Sequence, residues 1–160
     1  MNKKTISIIL LAVFIITMGL TIANVFMQDN NTVENQTGTL TIGNRTVNYD
    51  KAGKCVEVID GNTIQVYGVG RVQLTQVKTP DSEPGISKAK NFVSDNCLGK
   101  TVYLNVDDEK PKDNYDRTLA IVYTDTMDIN KELLDKGLAE NSYFTPSEFK
   151  KGEVLLNNPI

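Results

Sequence analysis

The side chains best suited to chemistry lie at one short corner of the chain, the stretch VKTPD at residues 77–81. An ammonium, a hydroxyl and a carboxylate, those of Lys78, Thr79 and Asp81, flank a proline that restricts the backbone. The stretch follows the run VIDGNTIQVYGVGRVQLTQ, in which turn residues separate short apolar segments. A polar corner between strands is either an active site or the scaffold of one that has lost its chemistry.

Five short runs predict the β-strands that must position this corner, and the first three alternate apolar and polar residues. They are residues 54–59, 63–67, 71–77, 101–106 and 117–124. Asp60-Gly61-Asn62 between the first two is typical of a tight hairpin turn, because Gly and Asn tolerate positive φ.

Three helices are predicted after the corner. Ser87 is expected to cap the first, which ends at Gly99. The second is predicted within residues 129–139, with Gly137 as its C-terminal stop signal. The third is predicted over residues 145–156, with Pro146 in its first turn. The residues predicted to face the core are Ala89, Phe92, Val93 and Cys97 in the first helix and Leu133, Leu134 and Leu138 in the second.

This order of elements predicts a mainly β fold with α (α+β). We expect a five-stranded antiparallel OB-fold barrel with packed helices over residues 53–160, preceded by one N-terminal transmembrane helix. The exposed face of such barrels commonly binds oligonucleotides or oligosaccharides.

The N-terminus predicts export. Residues 5–27 carry no charge, and as a helix they would be about 34 Å long, enough to cross a bilayer core of about 30 Å. Lys3 and Lys4 precede them, which places the rest of the chain outside the cytoplasm. We therefore predict a signal anchor at residues 1–27, with the membrane as a partner; the alternative is a secreted protein released by signal cleavage.

Residues 28–52 are rich in Asn, Thr, Gln and Gly and predict a disordered or loosely extended exported linker. Asn30, Asn35 and Asn44 begin Asn-x-Thr triplets, which make this stalk a candidate for glycosylation. Beyond the membrane segment the formal net charge is −5, which argues against strong non-specific binding to nucleic acid but not against a local basic cleft.

The two cysteines, Cys55 and Cys97, are the whole thiol content of the chain, which has no histidine. They cannot make an ordinary zinc site, and a cysteine–histidine nucleophile pair is excluded. In an oxidising compartment an even pair predicts a structural disulfide, and two buried free thiols are the alternative.

Four motifs in order, VIDGNT, VQLTQVKTPD, DNYDRTLAIVY and INKELLDKGLA, resemble the staphylococcal (micrococcal) nuclease or thermonuclease-like family over residues 54–145. The resemblance implies an OB-fold barrel that hydrolyses phosphodiesters. In that family two aspartates and a backbone carbonyl hold Ca²⁺, a glutamate activates water, and two arginines clamp the phosphate.

The metal ligands implied by the resemblance are substituted in this chain. The first aspartate falls on Asn62 and the second on Lys78, while the carbonyl contributor is retained as Thr79. The charge at the two aspartate positions therefore changes from −2 to +1, and we favour an inward orientation of Lys78. No Ca²⁺ or other cofactor is expected to bind, because Ca²⁺ affinity depends on charged oxygen ligands.

The remaining roles are partly retained. The first arginine falls on Gln73 and the second on Arg117, while the water-activating glutamate falls on the shorter Asp81. The tyrosines that line the family's nucleotide pocket match Tyr115 and Tyr143. Purely structural interpretations stay open: Asn62 suits a turn, Arg117 has Asp113 and Asp116 nearby, and the tyrosines suit a barrel cap.

These substitutions predict a membrane-anchored extracytoplasmic binding or interaction module that lacks calcium-dependent phosphodiesterase activity. A weakly bound nucleic acid or another anion is the expected ligand, and the sequence points to no protein partner. One alternative is an active extracellular nuclease that cleaves DNA or RNA with a modified site. Another is a barrel that binds glycans or proteins.

Overall fold

The structure is a computed structural model that describes residues 37–151. The predicted membrane helix lies outside these residues, as do the first part of the predicted linker and residues 152–160. Neither helix in residues 37–151 is long and apolar enough to cross a membrane.

Nine strands and two helices make up the described part of the chain. The strands are β1 (Gly38–Ile42), β2 (Arg45–Tyr49), β3 (Lys51–Asp60), β4 (Thr63–Val66), β5 (Gly70–Leu74), β6 (Val77–Lys78), β7 (Thr101–Val106), β8 (Thr118–Tyr123) and β9 (Glu140–Asn141). The helices are α1 (Gly85–Cys97) and α2 (Ile129–Asp135).

Five of these strands close into a barrel in the order β3-β4-β5-β8-β7, and pairing of β3 with β7 completes it. The five predicted strands and the barrel are confirmed, and the arrangement is OB-like. One detail was wrong: β5 and β8 are parallel, because α1 and β7 lie between them in the chain and return it to the same direction.

Alternate residues of the barrel strands fill its interior. Fully buried side chains include Ile64, Val66, Val72, Leu104 and Val122. α1 closes one side with the predicted stripe, of which Ala89, Val93 and Cys97 are fully buried and Phe92 is partly buried. This core holds in place the turns that carry the polar residues of interest.

α1 begins three residues earlier than predicted, at Gly85, with Pro84 and not Ser87 at the cap position. The Glu83 carboxylate accepts hydrogen bonds from the Ser87 hydroxyl (2.7 Å) and backbone N–H (3.3 Å). This side chain satisfies a first-turn donor, which a capping serine would otherwise do. The predicted end is confirmed, since Gly99 has φ +76°.

α2 matches its prediction in position, and Gly137 follows it with φ +64°. Asp128 caps it by accepting a hydrogen bond from the Lys131 N–H at 2.9 Å. Leu133 is fully buried, whereas Leu134 and Leu138 are only partly buried.

The third predicted helix does not form over residues 145–151, where the chain is a loop. Contacts with residues far away in the sequence hold this segment in its loop conformation. Phe149 is buried against the outside of the barrel, and its carbonyl accepts a hydrogen bond from Gln76 Nε2 at 2.9 Å. The Asp107 carboxylate accepts from the Glu148 N–H and the Ser147 hydroxyl.

A β-hairpin, β1 with β2, occupies residues 38–49 of the predicted linker, so that prediction is wrong for this segment. Its apolar residues Leu40, Ile42 and Val47 join a small second core with Ile121 and Tyr123. Three alternating apolar residues suffice for a docked hairpin when a barrel offers the facing surface. Asn44 lies exposed in the hairpin turn, and its glycosylation stays a prediction.

The structure does not contain the predicted disulfide. Cys55 on β3 and Cys97 at the end of α1 are free thiols, and both are fully buried. Burial raises the pKa of Cys55 to about 11 and that of Cys97 to about 12. The alternative of two buried thiols therefore describes the structure.

We predict that Asp128 makes the protein more stable in mild acid. Its side chain is 5% exposed, and burial raises its pKa from 3.8 to about 6, although Lys131 and Arg45 oppose the shift. Because the folded chain binds this proton more tightly than the unfolded chain, the contribution is full below pH about 4 and is lost as the pH rises through about 6. It amounts to ~3 kcal/mol at most.

The measurement is the free energy of unfolding in urea between pH 4 and pH 7. Asp128→Asn keeps a capping oxygen and removes the charge, so we expect it to be more stable than the wild type at pH 7 and to flatten the profile. Asp125→Asn, at an exposed neighbour, is the control and should keep the wild-type slope. An unchanged slope in Asp128→Asn would refute the assignment.

Candidate functional site

The turn between β3 and β4 carries the first candidate, Asn62. The Asn62 N–H donates to Asp60 Oδ1 at 2.8 Å, and the carbonyl of Asn62 accepts from the Leu74 N–H at 2.8 Å. Gly61 is required by close packing and not by positive φ: a Cβ there would lie 2.6 Å from Ala89 Cβ and 2.8 Å from Thr79 Cγ2. Because Gly61 has no Cβ, this turn can pack directly against both α1 and Thr79.

A chain of hydrogen bonds connects three of the predicted site residues through Thr63. The Thr63 hydroxyl lies 3.3 Å from Asn62 Oδ1 and 3.1 Å from Gln73 Oε1, and Arg117 Nη1 donates to the same hydroxyl at 3.3 Å. Thr63 and Gln73 are register partners on β4 and β5. The structure thus brings Asn62, Gln73 and Arg117 together, and Thr63 is a member that sequence reasoning missed.

Asp113 holds Arg117 in this position. Its Oδ2 accepts from Arg117 Nε at 2.7 Å and lies 2.7 Å from Nη2, while its Oδ1 accepts from the N–H groups of Tyr115 and Arg117. Partial burial alone would raise the pKa of Asp113, but these hydrogen bonds outweigh it and lower the pKa. Arg117 also lies over the Tyr115 ring, 5.3 Å from its centre, and Tyr115 is 79% exposed.

The VKTPD corner forms the second part of the site. Lys78 lies on β6 opposite Glu140 of β9, and its side chain is exposed, so the inward orientation that we favoured is wrong. Pairing with β9 fixes which way β6 faces: Val77 is buried, and the next residue must point outward. Lys78, Thr79, Pro80, Asp81 and Glu140 line a surface pocket of about 280 Å³.

A second pocket of about 300 Å³ adjoins Arg117. It is lined by Gln73, Leu74, Thr75, Gln76, Val77, Lys110, Asp113, Arg117, Leu119, Ser142 and Phe144. The Lys110 ammonium lies over the Phe144 ring at 5.0 Å. Sequence reasoning missed Lys110 and Phe144; the only available signal was the polar loop DDEKPKDNYD, which precedes β8.

Tyr143 lies beside the second pocket and is not among the residues that line it. It lies just after β9, between two residues that line the second pocket, and is 36% exposed. Asp81 is exposed at the first pocket. The two pockets therefore divide the predicted residues, with Lys78, Thr79 and Asp81 at one and Gln73 and Arg117 at the other.

The residues present do not fit the Ca²⁺ ion that the family resemblance implies. At the first ligand position, Asn62 Nδ2 donates to the Val77 carbonyl at 2.9 Å, so an N–H faces the carbonyl oxygen where a carboxylate would be needed. At the second position the side chain is the ammonium of Lys78. Within residues 37–151, no three acidic or cysteine side chains are grouped as a metal site.

Without a metal, the site offers guanidinium and ammonium groups, the Gln73 amide and the Thr63 hydroxyl. Arg117 is rigid because Asp113 and Thr63 bind it from two sides. Asp113 and Thr63 take three of its five N–H groups, and the remaining two, one on each Nη, can bind a phosphate or carboxylate oxygen without a metal.

Comparison with known proteins places this geometry in a family. The family model described as "Staphylococcal nuclease homologue" matches residues 71–158, slightly more than half of the chain. A thermonuclease of Staphylococcus intermedius is 36% identical over 101 residues, covering 57% of this chain and 60% of the relative.

A thermonuclease of Staphylococcus hyicus is 32% identical over 104 residues, which cover 59% and 61% of the two chains. An uncharacterized endonuclease of Haemophilus influenzae is 33% identical over 91 residues, or 54% and 49%. The chain spans about half to three fifths of the length of these relatives. By its barrel, its motif order and the family match, this chain belongs to the staphylococcal nuclease homologue family.

Proposed function

We propose that this nuclease-like domain binds anionic ligands without a metal and lacks calcium-dependent phosphodiesterase activity. One observation carries the proposal: Asn62 donates an N–H to the Val77 carbonyl where the first metal carboxylate is expected, while Arg117 stays fixed beside Gln73. The site has kept a phosphate-binding group and has lost the two carboxylate ligands of the cation.

The electrostatics support the same proposal. A cation at the VKTPD corner would meet an ammonium, that of Lys78, at the sequence position where the family has its second metal carboxylate. Lys78, Asp81 and Glu140 at this pocket are all exposed, so water screens the three charges alike and none of them forms a buried cation ligand. Replacing the first arginine by Gln73 also removes charge that would stabilise a transition state.

The test is a cleavage assay of the full-length chain on single-stranded DNA and RNA, with Ca²⁺ or with a chelator. We expect the same residual background in both conditions. Cleavage that the chelator abolishes and that Arg117→Ala also abolishes would overturn the proposal. The Staphylococcus intermedius thermonuclease serves as the positive control.

An active nuclease with a modified site is the second candidate, and one observation favours it. Arg117 keeps its place in a network of fixed hydrogen bonds, as a transition-state clamp would require. The relatives named thermonuclease and endonuclease support the same idea. The cleavage assay separates the two candidates.

We predict that Arg117 dominates anion binding. In a chelator, Arg117→Ala should weaken binding of a short single-stranded oligonucleotide about tenfold to a hundredfold, because hydrogen bonds to charged groups contribute about 1.5–3 kcal/mol. Titration calorimetry at low salt measures the effect. Arg71→Ala, which removes an exposed arginine on the same strand as Gln73, is the control, and an equal loss in both variants would indicate only non-specific attraction.

We further propose that residues 5–27 anchor the protein in a membrane and that the barrel faces away from the cytoplasm. The uncharged length of the segment and the two preceding lysines support this location. Protease added to intact cells should degrade the barrel, and alkaline washing should leave the chain in the membrane fraction. Recovery in the soluble cytoplasmic fraction would exclude the anchor.

A further inference from the structure

The hairpin of residues 38–49 has a free strand edge. The five strands of the barrel close on themselves, so each is paired on both sides. β2 packs beside β7 of the barrel, and β1 lies on the far side of β2. Within residues 37–151, β1 pairs with β2 and with no other strand. Its outer edge therefore presents backbone N–H and C=O groups with which another strand can pair.

The hairpin turn determines which backbone groups of β1 point outward. The turn at residues 43–44 has two residues, and Ile42 lies opposite Arg45 across it. A turn of this kind is closed by a hydrogen-bonded pair, and hydrogen-bonded and non-hydrogen-bonded pairs alternate along an antiparallel ladder. The N–H and C=O groups of Thr39 and Thr41 therefore point away from β2, and both side chains are exposed.

This edge has none of the features that usually protect a free strand. Such features are charged residues, prolines, bulges and very short strands. β1 has five residues, GTLTI, without a charge, a proline or a shift in its register to β2. The small sheet of β6 and β9 shows the contrast, because its strands have two residues each and carry Lys78 and Glu140. β1 is therefore suited to pairing with a further strand.

We propose that β1 pairs antiparallel with β1 of a second copy of this chain, which joins the two hairpins into a four-stranded sheet. With Leu40 facing Leu40 at the two-fold axis, Thr39 of each copy lies opposite Thr41 of the other. The outward groups of these threonines are then all used, in two pairs that each exchange both N–H···O bonds. Threonine pairs across strands are favourable, and no like charges meet within β1.

The length of chain before the hairpin favours a second copy as the partner. In the antiparallel pair the two Gly38 residues would lie about 14 Å apart along the strands, because four residues at about 3.4 Å each separate them. Residues 28–37 connect Gly38 to the proposed anchor at residues 5–27, and ten extended residues span at most about 35 Å. Both anchors can therefore enter one membrane, which keeps a second β1 at a high effective concentration. The inference thus rests on the proposed anchor and is independent of anion binding.

The test is cysteine cross-linking of the full-length chain in phosphatidylcholine vesicles, with an oxidant that joins neighbouring thiols. Thr39→Cys and Thr41→Cys add exposed thiols at the edge, whereas the native Cys55 and Cys97 are fully buried. We expect a mixture of the two variants to form a covalent dimer several-fold faster than either variant alone. The reason is that position 39 lies directly opposite position 41, and not opposite itself, in the proposed pair.

A mixture of Thr46→Cys and Asn48→Cys is the matched control. These residues lie opposite Thr41 and Thr39 within the hairpin and are also exposed, but they belong to β2. In the four-stranded sheet the two β1 strands separate them from their counterparts in the other copy, so we expect little covalent dimer. An equal rate in this mixture would show that anchored chains collide at random and would overturn the interface.

Two further results would contradict the proposal. If the edge mixture cross-links no faster than its single variants, the edges do not pair as proposed. Amide hydrogen exchange at Thr39 then shows whether another segment covers the edge or leaves it free. If the chain does not float with the vesicles, the anchor is wrong, and with it the choice of a second copy as the partner. Calorimetry with the oligonucleotide measures anion binding separately, so the failure of one proposal is distinguishable from the failure of the other.

Discussion

The triple variant Asn62→Asp, Gln73→Arg, Lys78→Asp is expected to melt at a higher temperature in Ca²⁺ than in a chelator, whereas the wild type melts at the same temperature in both. The substitutions restore two carboxylates and remove the ammonium that opposes a cation. A ligand present at about 100 times its dissociation constant adds about 2.7 kcal/mol of stability, which corresponds to several degrees for a domain of this size.

The structure sharpens this expectation. Asn62→Asp places a carboxylate against the Val77 carbonyl, which now receives an N–H at 2.9 Å. Two facing oxygens repel each other unless a cation lies between them, so the variant should be less stable than the wild type in the chelator and should recover in Ca²⁺. Gln73→Arg alone adds no metal ligand and serves as the control. A triple variant indifferent to Ca²⁺ would mean that Asn62 and Lys78 do not occupy the family's ligand positions.

Asp107→Ala is expected to cause the largest loss of stability of any single variant considered for this fold. Asp107 is fully buried, and its Oδ1 accepts from the N–H groups of Glu109, Lys110 and Glu148 at 3.1–3.2 Å. Its Oδ2 accepts from the Ser147 hydroxyl. Alanine would leave these donors without their acceptor, and we expect a loss of about 3–5 kcal/mol.

Urea denaturation measures this loss, and two variants bracket it. Asp107→Asn keeps one acceptor oxygen and should lose less than half as much. Asp108→Ala changes the exposed neighbour and should stay within about 0.5 kcal/mol of the wild type. Equal losses at positions 107 and 108 would show that the charge of the loop matters and not the buried hydrogen bonds.

The barrel could be predicted from the sequence because short stretches of sequence determine its strands and helix ends. Alternation in runs such as TIQV and TVYLNV fixes which residues face inward, and the Gly99 and Gly137 stops follow from their left-handed backbone. The predictions fail where contacts between residues far apart in the sequence determine the conformation. Residues 145–151 have a helical pattern, but Phe149 and Glu148 are bound instead by the barrel and by Asp107.

The same distinction applies to the candidate site. Motif order was enough to bring Gln73, Asn62 and Arg117 together, since Gln73 lies on β5 and the other two directly precede the neighbouring strands β4 and β8. The direction of Lys78 was not predictable, because it depends on pairing with Glu140, far along the chain. The sequence also does not show that the buried atoms Thr75 Oγ1 and Gln76 Oε1 lack a hydrogen-bond partner within residues 37–151. A polar residue in a strand pattern carries no information about its hydrogen-bond partners.

The hairpin of residues 38–49 determines where the chain can be shortened. A truncation that begins at Asp50, where the barrel starts, would remove Val47 and uncover Ile121, Tyr123 and Phe149, all now below 5% exposure. Adjacent apolar side chains left in water favour self-association. The smallest fragment suitable for soluble expression therefore begins before Gly38, upstream of the segment that matches the family.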